Sequence, residues 1–451
     1  MHVWLPRLCT WEICMTAEIA ILNRMGVALA ADSAVTVADE GSGESVKTYN
    51  TANKLFSLSK FHPVGVMVYG SADLMGVPWE TIIKFYRGQL ADRVYDSLDE
   101  YATDFLRFVE HHASRFFPED QQARYVDRII RSQMARVADD AGSAIRDAYE
   151  SGDQPSDEDV RSIIVGSLEA LIARRRQLPV VDDCDESFAK AVVSRYDARI
   201  RELVSTTLGQ QHLTEQAFSL FGELVGESIV RADYEPGQAG VVIAGFGRND
   251  LFPSLRCYLF SGYVLDRLIV RRDENRAVDI SFDNQATVMP FAQDDMACVF
   301  MEGIDRDYHR FIRSTLGESF SRLPSLIAGA LSTYLADQRD EVAAVLDKMI
   351  ADALSTVDER SVEYMDSYHV RPIVTTVGML SKDELAVMAE TLVNLTAFKR
   401  RMTMVPETVG GPVDVAVISR GDGFVWLKRK HYFDGNLNHQ FFRNYFRREE
   451  D

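Results

Sequence analysis

The sequence predicts an α+β fold, with a mainly antiparallel two-sheet core and helices packed outside it. Three observations carry that reading. Short apolar runs bounded by turn residues fill the early chain, return between 241 and 282, and close the core at 413–428. Between these groups, apolar residues follow helical spacing over about 78–235 and again over about 292–358. The strands therefore come in blocks instead of alternating singly with helices, as parallel βα repeats do.

Taken in order, Ala20-Ile21-Leu22 and Val27 to Ala31 are apolar runs around the turn Asn23-Arg24-Met25-Gly26, and predict a strand pair. Asp39 to Asn50 is polar, carries Gly41 and Gly43, and reads as a loop. Lys54 to Leu58 and Val64 to Tyr69 predict two more strands around Phe61-His62-Pro63, and Gly70-Ser71-Ala72-Asp73 reads as a strand-to-helix junction. Helical spacing then takes over, as in Tyr101, Phe105, Phe108 and Val109, with start signals at Ser97-Leu98-Asp99-Glu100 and Ser156-Asp157-Glu158-Asp159. Arg174-Arg175-Arg176 reads as a solvated helix face. Strands are expected again at 241–245, 255–260, 265–270 and 278–282, then helices, one of them starting at Ser381-Lys382-Asp383-Glu384. Val413 to Ser419 and Gly423 to Lys428 form a closing hairpin over Arg420-Gly421-Asp422, and the aromatic-basic tail from Phe441 reads as an amphipathic packing segment.

The 451 residues are 46% hydrophobic, enough for a large core. With 49 basic and 68 acidic side chains the formal charge is −19, which argues against nucleic acid as the main partner, since phosphate binding needs a basic face. Cys9, Cys14, Cys184, Cys257 and Cys298 are scattered, with no CxxC pair, so a reduced, cytoplasmic protein is expected. The nine histidines form no ligand-spaced cluster with Cys or Asp, so no metal or other cofactor is expected. No apolar run approaches the roughly 20 residues a bilayer span needs, and residues 1–14 are broken by Pro6, Arg7 and Glu12.

The chemistry centres on "TAEIAILNRMGVALAADS", which begins at Thr16 and places Asp32 at the end of a strand-like run. Were Thr16 the first residue, its hydroxyl would be a nucleophile and its own α-amine the base, with no histidine required. A free α-amine has a pKa of about 7.7–8.0, so much of it is protonated at neutral pH, and a nearby cation favours the neutral form. Lys54 would supply that cation, and Asp32 would hold Lys54. Backbone N–H groups at Tyr69-Gly70 would face a developing oxyanion.

Together with "KLFSL" and "GVMVYGSAD", this stretch resembles the opening of a proteasome β-type subunit. That family belongs to the N-terminal nucleophile (Ntn) hydrolases, with the HslV-type peptidase and the Anbu-type proteasome-like proteins. "VGGPVDVAVISRGDGF" is similar to the family's closing Gly-Gly hairpin. The resemblance implies a four-layer αββα Ntn sandwich, here with large helical insertions. It places Thr16 at the nucleophile, Asp32 and Lys54 at the supporting acid and lysine, and the oxyanion donors at Tyr69 and Gly70. Tyr69 stands where the family has Gly, so its bulk is expected to alter the substrate pocket. The family's later Gly-Ser segment has no match near Pro290 to Asp295.

The resemblance also implies a threonine-type endopeptidase acting on polypeptides, a homo-oligomer, and an unidentified regulator as a further partner; nucleic acid and membrane are not expected. A non-catalytic assembly or scaffold protein of the same fold, or an amidase acting on a small amide, are the alternatives. The chain divides as an extension at 1–15, core at 16–78, a helical insertion at 79–237, core at 238–300, a helical segment at 301–380, the closing helix and hairpin at 381–435, and a tail at 436–451. An amine nucleophile needs residues 1–15 removed. Met15 before Thr16 fits a start codon whose methionine is cleaved. Lys54→Ala is expected to abolish activity with the fold nearly intact.

Overall fold

A computed structural model of the chain describes residues 17–38, 45–152, 154–208, 213–231, 237–330, 339–403, 410–431 and 433–446. The first strands are β1 (Ala17–Asn23), β2 (Gly26–Ala31), β3 (Val35–Ala38), β4 (Ser45–Tyr49), β5 (Leu55–Ser57) and β6 (Val64–Gly70), followed by the small hairpin β7 (Asp73–Leu74) and β8 (Val77–Pro78). Seven helices come next: α1 (Trp79–Leu90), α2 (Leu98–His111), α3 (Ala113–Phe116), α4 (Glu119–Glu150), α5 (Asp157–Arg176), α6 (Glu186–Leu208) and α7 (Glu215–Val230). Then come β9 (Ala239–Gly245), β10 (Ser254–Val264), β11 (Arg267–Arg272), β12 (Val278–Asp279) and β13 (Ala286–Ala292). The chain continues through α8 (Asp295–Glu302), α9 (Arg306–Ser321), α10 (Leu323–Ala330), α11 (Arg339–Met365), α12 (Arg371–Val377) and α13 (Lys382–Met402), and ends in β14 (Asp414–Ser419), β15 (Gly423–Lys428) and α14 (His439–Phe446).

The strands form a mixed α/β architecture with antiparallel sheets. One sheet runs β13-β1-β2-β14-β15, the other β11-β10-β9-β6-β5. Alternation along each strand sends successive side chains to opposite faces, and three apolar clusters follow from it. Ala20, Leu22, Leu29 and Ile418 of the first sheet share a cluster with Leu55, Met67, Val242 and Leu259 of the second, so the sheets face each other. Ile19, Ile21, Ala28, Ala30 and Val417 turn the other way, onto Leu385, Ala389 and Leu392 of α13. The outer face of the second sheet, through Val66, Val68, Ile243 and Phe260, carries residues of α1, α2 and α4 to α7.

Several local readings differ from the structure. The expected loop 39–50 contains β4, which pairs with β3, while residues 39–44 lie outside the described residues. The Gly70–Asp73 junction leads into the β7–β8 hairpin before α1 begins. Leu265 and Asp266 form the turn between β10 and β11, with φ of 47° and 60°, instead of starting a strand. At 278–282 only two residues pair. The strand the sequence hid is β13, whose Pro290 argues against a central strand; β13 lies at the sheet edge, where a missing N–H is tolerated. Ser156 and Asp159 make a reciprocal capping box on α5, whereas Ser381 makes no side-chain cap on α13. Within the arginine run, Arg175 is buried and bonds Gln133, while Arg176 pairs with Glu223 and Glu227. No helix among the described residues is long and apolar enough to cross a membrane.

Candidate active site

Glycine and alanine set the ground for the site. Gly26 lies so close to Ile418 that a Cβ would strike its carbonyl, and β2 consists only of small or β-branched residues and one Leu, all buried. The strand ends at Ala31, and the next residue, Asp32, is itself fully buried. The N–H of Asp32 donates to the carbonyl of Ala17 at 3.1 Å. Its carboxylate receives the N–H of Ala17 on Oδ1 at 3.3 Å and that of Gly410 on Oδ2 at 2.8 Å. Gly410 returns its carbonyl to the N–H of Ser33 at 3.1 Å, and the Ser33 hydroxyl donates to the carbonyl of Pro412. The Gly-Gly segment thus docks on Asp32-Ser33. Gly411 has φ of +79° and its missing Cβ would meet Asn50 Cβ at 2.7 Å, so glycine is required there.

Lys54 enters just before β5, where its carbonyl accepts the N–H of Val68 at 2.8 Å. Its ammonium donates to Asp32 Oδ1 and lies 3.1 Å from Glu18 Oε1. All three side chains are almost wholly buried. Burial pulls the Lys54 pKa down, but the charges of Glu18 and then Asp32, and the hydrogen bonds they accept, outweigh it and hold the group above its ordinary 10.5. Lys54 is therefore a buried cation at neutral pH.

The structure brings Asp32 and Lys54 into direct contact beside the N-terminal end of β1. Thr16 lies outside the described residues; Ala17, to which it is bonded, is the residue that donates to Asp32. At the second sheet, Val68 donates toward Lys54 and Ser71 donates to Gln238 at 3.1 Å. Strand alternation then turns the N–H of Tyr69 toward β9, opposite Gly240, and returns that of Gly70 to the Lys54 side. Gly70 has φ of +77°, and a Cβ there would sit 2.7 Å from the carbonyl of Gln238.

The bulk of Tyr69 was expected to alter a substrate pocket. Instead its ring is buried between the sheets, over Gly240 and 5.2 Å from the ring of Phe291. Its hydroxyl takes a hydrogen bond from Arg276 Nη1 at 3.0 Å and lies 3.3 Å from Cys257 Sγ. The segment near 290–295 is placed beside the site: β13 pairs Ala292 with Ala17, and Ala292 has a φ of 56° that L residues seldom adopt.

Sequence reasoning missed Glu18. A signal was present, because a lone carboxylate in the otherwise apolar run of β1 must find a partner if the strand is buried. It also missed the Gly410 amide, whose role depends on a contact between residues 378 positions apart. Among the described residues, no group of three or more His, Cys, Asp or Glu side chains is arranged to hold a metal ion. Comparison with known proteins finds no matching family model and no matching curated protein.

Proposed function

We propose that the chain is a threonine-type peptidase of the proteasome-like, Ntn-hydrolase kind, with Thr16 as nucleophile once it is the first residue. In this reading the two facing sheets and the helices outside them are a four-layer αββα sandwich, enlarged by the helices of 79–237 and 301–380. The observation that carries the proposal is the buried, charged Lys54 on Asp32, whose carboxylate also takes the N–H of the residue bonded to Thr16. A fixed cation there favours the neutral α-amine, which the reaction needs as a base.

The amine of Thr16 removes the proton of its own hydroxyl, and Oγ attacks the peptide carbonyl. The N–H of Gly70, on the Lys54 side, donates to the oxyanion. The departing amine takes the proton held by the Thr16 ammonium, which leaves an ester on Oγ. Water, deprotonated by the same amine, then releases the acid and restores the hydroxyl. Polypeptide substrates, a homo-oligomer, a further regulator and a cytoplasmic setting belong to the same reading.

The test uses protein expressed from Met15 and the full 451-residue chain. Mass spectrometry of the first form is expected to show a Thr16 terminus, an acylating active-site probe should label Thr16, and a protein substrate should be cleaved. Lys54→Ala should lose activity by at least about 100-fold, the scale of a lost acid–base group. Hydrolysis by a chain that retains Met1 to Met15 overturns the proposal. Cleavage of small amides with no cleavage of protein overturns the peptidase assignment and leaves an amidase.

A further inference from the structure

Helix α13 is apolar on two opposite faces. Leu385, Ala389 and Leu392 are buried on the first sheet. On the side away from the sheet, Val387 is 58%, Leu395 38%, Phe398 57% and Met402 65% exposed, with the exposed Thr391 among them. A helix lying on a sheet ordinarily turns a polar face to water, so a second apolar stripe marks a contact surface. Thr391, Leu395, Phe398 and Met402 step by four, three and four residues, the spacing of a seam between two packed helices.

The surface continues onto β15. Phe424 and Trp426 of that strand pack between the sheets, and alternation sends Val425 and Leu427 to the outer face, 38% and 50% exposed. Lys428 pairs with Glu390 at 2.6 Å and Lys382 with Asp422, which ties the closing hairpin along the flank of α13.

Charge decides what fits this face. Asp383 and Glu384 stand in the first turn of α13, and Lys399, Arg400 and Arg401 in the last. Lys399 is held within the chain by Asp295 at 3.1 Å, while Glu384 and Arg401 are exposed. One helix thus carries an acid at the start of its seam and a base at the end. Two copies laid antiparallel bring Glu384 opposite the partner's Arg401 at both ends, with the apolar stripes between them. The helix dipoles then run in opposite directions, while a parallel pair would set acid on acid and base on base. The formal charge of −19 makes copies repel in general, so matched ends select where they can meet.

We propose that the outer face of α13 is the contact between two copies of this chain, paired antiparallel about a two-fold axis that passes between Thr391 and Leu395. Such a contact is isologous: the same residues serve on both sides. It gives the homo-oligomer of the proposed function a defined interface, and it requires nothing of Thr16.

Sedimentation velocity of the full 451-residue chain, over a concentration series, tests the pairing. The unaltered protein should contain an even number of protomers. The double variant Leu395→Glu, Phe398→Glu should halve the mass, with circular dichroism unchanged because both side chains are exposed. Glu384→Lys and Arg401→Glu each set like charges opposite one another at both ends, and each should weaken association about tenfold. An equimolar mixture of those two variants should restore it, since opposite charges then face each other again. The mixture also decides the matter if the double variant fails to fold. A monomeric or odd-numbered unaltered chain, a folded double variant that keeps its mass, or a mixture no tighter than the single variants overturns the proposal. A paired chain that cleaves no peptide keeps the contact and removes the peptidase reading, whereas a monomer that cleaves peptide removes the contact alone.

Discussion

At the scale of single residues, Lys54 is the centre of the site's energetics. Replacing it with Ala leaves Glu18 and Asp32 as two carboxylates facing each other in a site closed to water. Breaking a buried pair in this way costs about 3–5 kcal/mol, so the sequence expectation of a nearly intact fold does not carry over. Lys54→Ala should lower stability by that amount in chemical denaturation. Its loss of activity must therefore be measured at a temperature where the variant is still folded. The pH dependence follows from the raised lysine pKa. A raised lysine contributes its stability in full below the unfolded value of 10.5 and loses it as pH rises through the higher folded value. Melting temperature should thus show no Lys54 contribution to its slope between about pH 7 and 9, and a fall at strongly alkaline pH that Lys54→Met lacks.

The buried thiols make a second prediction at this scale. Desolvation pushes Cys257 and Cys298 up to about 12 and Cys184 up to about 11. A raised thiol pKa means less thiolate, the reactive form. At pH 8 these three cysteines should resist iodoacetamide in the folded protein, at least about 100-fold more slowly than in urea. Mass mapping of the alkylated peptides gives the rates, and fast labelling of Cys257 would contradict its place between the sheets.

Among the elements, β6 shows how closely the site depends on backbone shape. It must pair with β9 through Tyr69 and Gly240, lay the Tyr69 ring over a residue without a Cβ, and bend at Gly70. Gly70→Ala puts a Cβ on a left-handed backbone and against the carbonyl of Gln238, so a loss of about 1–3 kcal/mol is expected. Gly240→Ala strikes the Tyr69 ring and should cost at least as much. Thermal unfolding of the two variants checks both. Equal stability in Gly70→Ala would mean that the turn relaxes without strain. The β13 strand shows the opposite dependence: Pro290 made it look unlike a strand, and only its edge position made the strand possible.

For the whole molecule, the helices divide by how they meet the sheets. Helices of 79–237 share one apolar cluster with the second sheet, to which α5 contributes the fully buried Leu168 and α6 Phe188. Removing 151–190 would therefore open the core before it altered any assembly. The helices of 301–380 are different. No residue of α9 is buried, and Phe311 is 62% exposed. Leu168→Ala should cost about 2–5 kcal/mol, while Phe311→Ala should stay within about 0.5 kcal/mol. Urea unfolding of the isolated protein measures both, and a large loss at Phe311 would show that this surface is covered in solution.

Much of the fold was legible because it is written in short-range chemistry. The β1–β2 and β14–β15 hairpins follow from apolar runs around tight turns, and the helices from apolar spacing with caps such as Ser156-Asp159. Asp32 and Lys54 were legible as candidates because an acid and a lysine at those positions match a motif. The sequence by itself determined which residues form strands and helices over most of the chain, and it singled out Asp32 and Lys54, which the fold brings into contact. Tertiary structure alone decided that Glu18 joins them, that Gly410 caps Asp32, that Tyr69 turns into the core, and that β13 closes the sheet beside Ala17. The physical reason is that these four facts rest on charge, hydrogen bonding and packing between segments tens to hundreds of residues apart. No local preference of the chain encodes them until the two sheets have come together and excluded water from between them.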